Sequence, residues 1–335
     1  MKKEKVAQYF VIGLMFLAAF PGSVPAAPFY EGKTLTIVVS FGPGGVFDRT
    51  ARMLSKHLPK YIPGKPSIII QNMPGGGSMT GANYLYEVAK PDGLTIGTFA
   101  RGLPYAQLLK AQGMRFDLTR FSWIGSPSIE PNVLVIRSDL PYKTFDDLLK
   151  TKETLHFGCT SGVAVDTFFP MALKEYLGLQ IKTIQYPSGA EINLAIERKE
   201  MDGRSSAYGG LKPFIARGMV RPILRGLVSE PEIEKLPVNV NYVTDPKAKT
   251  IMSILSLPDK IGQPYVAPPK TPGDLIQILR DAFSKWSKDP EVQAEGEKSM
   301  LRVEYVTPEE ALKIVHYVLE QPPEIVKELN KFMKY

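Results

Sequence analysis

From Thr34 to Arg52 the chain reads TLTIVVSFGPGGVFDRTAR, and this stretch restricts the possible folds more than any other. Leu35, Ile37, Val38 and Val39 make an apolar, largely β-branched run, a glycine-proline turn follows, and Phe47, Ala51, Leu54 and Leu58 then recur at helical spacing. The pattern predicts strand, loop and helix in succession. Gly42, Gly44 and Gly45 put no Cβ in the way of a ligand. The first N–H groups of the following helix lack intrahelical partners and sit at the positive end of its dipole. Such a loop is either an anion cradle or a packing turn. No Gly-Lys-Ser/Thr follows and no G-x-G-x-x-G is present, so it is neither a P-loop nor a dinucleotide fingerprint.

A second copy favours the cradle. IIIQNMPGGGSMTG, Ile68 to Gly81, again runs from an apolar strand through Pro74, Gly75, Gly76 and Gly77 into a helix carrying Leu85, Val88 and Ala89. Two such loops at the carboxyl ends of neighbouring strands face one crevice, where open α/β sheets bind ligands. A third strand-loop-helix, LHFGCTSGVAVDTFF, places Gly158 to Gly162 in its loop, with Thr160 and Ser161 offering hydroxyl and backbone donors from the other side. Tyr186 to Gly189 is a further turn, followed by a helix from Glu191 to Arg198.

The rest of the chain arranges itself around these loops. Strands are expected at Leu94–Thr98, Asn132–Arg137 and Pro222–Leu227, and helices at Arg101–Gln112, at Lys143–Leu149 with Thr144 as N-cap, and at Pro272–Ser287, Pro308–Glu320 and Glu324–Met333. Met201 to Ser206 reads as a polar loop, and Glu230 to Asp259, rich in proline and poor in period, as a connecting region. One crossing between domains falls between Ile124 and Asn132 and a return crossing follows later. The expected division is domain 1 from 28–127 with 253–335 and domain 2 from 128–252. Two crossings make a natural hinge, with the ligand cleft between the lobes.

The amino terminus has Lys2, Lys3 and Lys5, an apolar stretch from Tyr9 to Phe20 and small residues at Val24-Pro25-Ala26-Ala27. That is a cleavable secretory signal over 1–27, its apolar run short of the ~20 residues of a spanning helix, with an uncleaved anchor as the alternative. Export to the periplasm follows, with one cysteine and so no internal disulfide. Cys159 is a reactive thiol or a small packed residue. The formal net charge of +7 is spread without a basic block, which argues against a nucleic-acid partner.

Three functions compete: an exported binding protein for a small anion, a periplasmic sensor that docks on a signalling protein, and an exported hydrolase of acidic substrates. His57, His156 and His316 sit in helical or apolar settings, and there is no G-x-S-x-G, no H-E-x-x-H and no Cys/His cluster at metal spacing, so no enzyme, metal or cofactor is expected. Arg204 reads either as a guanidinium for a ligand's distal carboxylate or as a surface arginine or partner of Asp202. Asp48 reads as a structural residue of the first helical turn or as a ligand contact.

Over its mature length the chain resembles the extracytoplasmic solute receptors of tripartite tricarboxylate transporters, the Bug proteins. The family's first loop, roughly PFPPGGGTDxxAR, is matched at Phe41, Pro43, Gly44, Gly45, Asp48, Ala51 and Arg52, and its second, roughly VENRPGAGGxxG, at Asn72, Pro74, Gly75, Gly77 and Gly81. Pro91-Asp92-Gly93, Asp202, Gly218 to Arg221 and Pro268 to Pro272 match further motifs in order. The resemblance implies an α/β, two-lobed periplasmic binding fold of the Venus-flytrap, type II-like kind. It also implies a monomer that holds a carboxylate through loop N–H groups and water and passes it to the permease subunits.

Carried over by position, the implied contacts are Gly42, Pro43, Gly44, Gly45, Val46 and Phe47, then Gly75, Gly76, Gly77, Ser78 and Met79. From the second lobe come Cys159, Thr160, Ser161, Gly162 and Val163 with Tyr186, and Arg204 joins them if it reaches the cleft. Val46 and Phe47 stand where the family has Gly and Thr, and Cys159 and Ala164 replace serines. These departures point away from a tricarboxylate such as citrate and towards an aromatic or aliphatic mono- or dicarboxylate.

Overall fold

The computed structural model describes residues 27–162 and 164–331. The stretch before Ala27, where a signal peptide is expected, Val163 and the end of the last expected helix lie outside the described residues.

Among the described residues ten strands form two five-stranded sheets. In the first, β1 (Thr34–Val39), β2 (Ser67–Asn72) and β3 (Thr95–Thr98) are parallel, and β4 (Ser122–Gly125) is joined to them through β10 (Tyr265–Ala267), which runs antiparallel to both neighbours. The order is β2-β1-β3-β10-β4. The second sheet takes β5 (Asn132–Arg137), β6 (Leu155–Cys159), β7 (Ile181–Gln185), β8 (Gly203–Ala207) and β9 (Val220–Arg225) in the order β7-β6-β8-β5-β9. Here β6, β7 and β8 are parallel and β5 is antiparallel to β8 and β9. The two sheets repeat one plan: a first parallel strand flanked by the next two, then an antiparallel partner. In each, the first strand stands at a topological switch point, the place where such sheets open a crevice.

The central strands of each sheet are buried on both faces, and strand alternation assigns the side chains. Leu35, Ile37 and Val39 enter one core with Ala51, Leu54 and Trp286, whereas Val38 enters another with Leu85, Trp123 and Val266. In the second sheet Leu134 and Ile136 face a core holding Phe157, and Val133 and Val135 face one holding Ile192. The apolar runs in β1 and β5 are continuous because both faces are covered.

The chain passes between sheets twice, at 126–131 and after β9. The crossings are pinned to each other and to the sheets: Glu130 N–H donates to Asp259 O at 2.9 Å, Gly226 N–H to Asn132 O at 2.9 Å, and Ser126 and Val306 exchange backbone bonds at 2.9 Å. The region expected to be irregular, Glu230 to Asp259, contains the helix Pro246–Ser256, capped by Asp245 and opened by proline at its first position. Its apolar residues face two cores, Ala248 and Met252 one, Ile251, Ile254 and Leu255 the other, so no single stripe shows in the sequence. The helix runs unbroken through 252–253. The polar stretch read as a loop at 201–206 is, from Gly203, strand β8, held between β6 and β5 by ladder bonds on both sides.

Candidate functional site

Register brings the mouths of three loops together. Val39 pairs with Asn72 and with Thr98, so β1, β2 and β3 end level and the segments that follow them leave one edge of the sheet. The first two are the glycine loops.

In the first loop, a Cβ on Gly42 or Gly44 would meet nothing within 4 Å, so the backbone there borders open space. Gly44 has φ +84°, a conformation that favours glycine. Its N–H donates to Asp48 Oδ2 at 2.9 Å and is therefore already committed. Asp48, only 2% exposed, also accepts from Arg52 Nε at 2.9 Å and from Asn72 Nδ2 at 2.9 Å, and Asn72 Nδ2 reaches Phe41 O at 3.0 Å. Burial acts to raise the Asp48 carboxyl, but the hydrogen bonds from Arg52, Gly44 and Asn72 prevail and hold it below the ordinary carboxylate range. Asp48 is the brace of the loop. Val46 and Phe47 pack into the core beneath, with the Phe47 ring stacked on Phe41 at 4.2 Å. The aromatic ring expected to reach a ligand is thus turned inward.

The second loop has four consecutive residues at positive φ, Gly75 (+132°), Gly76 (+56°), Gly77 (+62°) and Ser78 (+84°). Ser78 is buried and its Oγ accepts the Ala100 N–H at 2.9 Å, which fastens this loop to the segment after β3. Met79 packs against the core. What the first lobe presents is backbone, not hydroxyls.

The second lobe is built the same way. Thr160, directly after β6, donates its N–H at 3.0 Å and its hydroxyl at 2.8 Å to Asp166 Oδ2, in the first turn of the helix Val165–Leu177. Cys159 is buried, and burial pushes its thiol up, away from the reactive thiolate. Its carbonyl accepts the Tyr186 N–H at 2.8 Å and so joins the two loops of this lobe. Ser161 is buried, its carbonyl accepting from Ala164 N–H and Thr167 Oγ1, and Gly162 is half-buried.

Arg204 is not a surface residue, nor does it pair with Asp202. It lies on β8, 4% exposed, with Nη1 donating to Gly189 O at 2.7 Å and to Asn193 Oδ1 at 3.1 Å, and with Nη2 at 3.8 Å from Asp166 Oδ2. Asp202 instead accepts the His156 N–H at 2.8 Å and faces Arg137 at 3.7 Å. Burial raises the Asp166 carboxyl against the pull of Arg204, and burial likewise lowers Arg204.

The sequence reading did not find Asp166, Arg101 or Asp259. Arg101, in the segment after β3, holds Asp259 Oδ1 at 3.0 Å, with both side chains buried, and its charge also acts on Asp166. Burial pushes Asp259 up to about 7. Tyr105 meets Phe168 edge to face at 5.4 Å, so the first lobe touches the second close to this segment. The one available signal was that Asp166, like Asp48, is an acid in the first turn after a glycine-bearing loop.

The family model for TctC, the tripartite tricarboxylate transporter family receptor, matches residues 50–331. The chain belongs to that family. A UPF0065 protein of Agrobacterium vitis is 28% identical over 192 residues, 55% of this chain and 55% of the relative, so the chain spans about half the length of that protein. A second UPF0065 protein, from Bordetella pertussis, is 27% identical over 78% of each chain. Among solved structures, the periplasmic binding protein BugD is similar with TM-score 0.74 at 20% identity, covering 90% of this chain and 98% of its own. A Rhodopseudomonas palustris protein with adipate gives 0.74 at 18%, covering 90% and 98%, and MatC from the same organism with bound malate gives 0.69 at 18%, covering 90% and 99%. At these identities the structures speak for the fold, a two-lobed α/β periplasmic binding architecture shared with this TctC-family chain.

Proposed function

We propose that this TctC-family receptor captures a small organic carboxylate between its lobes in the periplasm and hands it to the permease subunits of a tripartite membrane transporter. The observation that carries the reading is the level ending of β1, β2 and β3, which gathers two glycine loops and the Ala100-Arg101 segment at one edge. Backbone N–H groups at such an edge, fixed by Asp48 and Ser78, recognise an ionised acceptor with charge-assisted hydrogen bonds and do no chemistry on it. The similar R. palustris proteins carry adipate and malate, both aliphatic dicarboxylates, which supports that ligand class here. Because the Phe47 ring is spent on Phe41, an aromatic body has less to rest on than an aliphatic one.

The contacts proposed are Gly42, Pro43 and Gly45 with Gly75 to Gly77 in the first lobe, and Ser161, Gly162 and Tyr186 in the second. A thermal-shift screen of the chain from Pro28 against mono-, di- and tricarboxylates tests the reading. At one hundred times its dissociation constant a ligand stabilises by ~2.7 kcal/mol, a rise of several degrees at roughly 2 to 4 °C per kcal/mol. Stabilisation confined to one carboxylate class supports the proposal, and a flat response on refolded protein overturns it.

A further inference from the structure

We propose that Arg204 is a positioning residue that sets the charge of the second-lobe half of the site by neutralising Asp166, and so makes that half able to receive an anion. The inference rests on the carboxylate reading above and deepens it.

The guanidinium is not an arm held out to the ligand. Nη1 is spent on Gly189 O and Asn193 Oδ1, Nη2 lies between Asp166 and Ser206 Oγ at 3.5 Å, and the side chain is buried. A Cβ on Gly189 would lie 3.1 Å from both Nη atoms, so this turn packs closely over the guanidinium and a side chain there would have to displace it by a few tenths of an ångström.

Its influence on a ligand runs through Asp166. That carboxylate sits in the first helical turn behind the Thr160 loop, where an anion would look for N–H groups and a favourable dipole. Uncompensated, it would repel a ligand carboxylate. The groups facing Asp166 are Arg204 from β8, Arg101 from the segment after β3, Cys159 from β6 and Thr160. Arg101 is engaged by Asp259 at 3.0 Å, and of the two arginines acting on Asp166 Arg204 has the stronger pull. The first lobe solves the same problem differently, with an exposed arginine, Arg52, one helical turn beyond Asp48. There the compensating charge is screened by water, whereas Arg204 acts in a buried setting where a unit charge is felt more strongly.

The experiment is isothermal calorimetry with adipate and malate as probes on wild type, Arg204→Met, Arg204→Lys, Asp166→Asn and the double variant Asp166→Asn/Arg204→Met, at pH 7.5 and 5.5. Arg204→Met is expected to lose affinity by about tenfold or more at pH 7.5 and to lose less at pH 5.5, the direction set by the burial that displaces the Asp166 carboxyl upward. Arg204→Lys and the double variant retain most of the wild-type affinity. A purely structural role would instead give a loss that is the same at both pH values and persists in the double variant, and that result overturns the proposal. If Arg204→Met does not fold, Asp166→Asn decides: binding tightened several-fold supports the proposal, and unchanged or weaker binding overturns it. A wild type that binds no carboxylate overturns the receptor reading together with this one, whereas a binding wild type with equally binding variants overturns this one alone.

Discussion

The Asp48 carboxylate and the Asn72 side-chain amide meet at 2.9 Å, which ties the start of the first helix to the end of β2. Because the same carboxylate holds the Gly44 N–H, one side chain fixes both the shape of the first loop and its distance from the second. Asp48→Ala should cost about 1–3 kcal/mol for each buried donor it leaves unsatisfied. Its folded-state carboxyl is held below the unfolded value, so this stabilisation is present above the ordinary carboxylate range and is lost as pH falls through the folded value. Urea unfolding at pH 7 and pH 3 checks it: the gap between wild type and variant narrows in acid, and a gap that does not change with pH refutes the ionic part of the account.

Asp259 should show the opposite slope. Burial raises its folded-state carboxyl to about 7, above the unfolded value, despite Arg101 at 3.0 Å and with Glu130 adding in the same direction. The folded protein therefore binds the proton more tightly. The contribution is complete below the unfolded carboxylate range and declines as pH rises to about 7. Asp259→Asn should flatten the urea midpoint across that window. Asp259→Ala, which strands a buried arginine, should destabilise by about 3–5 kcal/mol. An Asp259→Asn profile parallel to wild type would remove Asp259 as the source of the slope.

The glycine loop can be tested without straining the backbone. Gly44 at φ +84° would resist any side chain, but Gly42 is not in the left-handed region and faces open space. Gly42→Val should fold with a melting temperature near wild type and bind carboxylate more weakly by tenfold or more, because its side chain fills the space a ligand enters. Calorimetry on the folded variant decides, and undiminished affinity would place the ligand elsewhere.

What the sequence revealed and what it hid follow from how local each constraint is. The glycine loops were legible because a strand, a run of residues without Cβ and a helix start are all written within about a dozen positions. The pairing of Arg204 with Asp166 was not, since it depends on β8 lying parallel to β6 and bringing Arg204 level with Gly158. Adjacency in sequence suggested Asp202 as the partner instead, but Asp202 lies just before β8 and is taken up by the His156 N–H and Arg137. Phe47 stood in two readings, on the apolar face of the first helix and, carried over from the family loop, among the contacts; its ring is in the core, stacked on Phe41. The helix Pro246–Ser256 carried a clear start at Asp245-Pro246, yet its apolar residues serve two cores and show no single face.

A close approach of the second helix to Ser40, where the first loop begins, supplies the last test. A Cβ on Gly81 would lie 2.2 Å from Ser40 Oγ, 2.9 Å from Ser40 Cβ and 3.2 Å from its Cα, so the helix Met79–Glu87 rests against the loop through a glycine. Ser40 Oγ is buried and has no hydrogen-bond partner among the described residues. Ser40→Ala should therefore be neutral or slightly stabilising, since it deletes a buried hydroxyl that has no bond to lose. Gly81→Ala must push Ser40 Cβ and the backbone behind it, and should destabilise by about 1–3 kcal/mol, as overpacking does. It should also weaken carboxylate binding, because the displaced residue begins the loop. Adding Ser40→Ala to Gly81→Ala relieves the hydroxyl clash but not the 2.9 Å contact between β-carbons, so rescue should be partial in both stability and affinity. Full rescue would trace the effect to the hydroxyl alone, and no effect of Gly81→Ala on binding would separate this contact from the site.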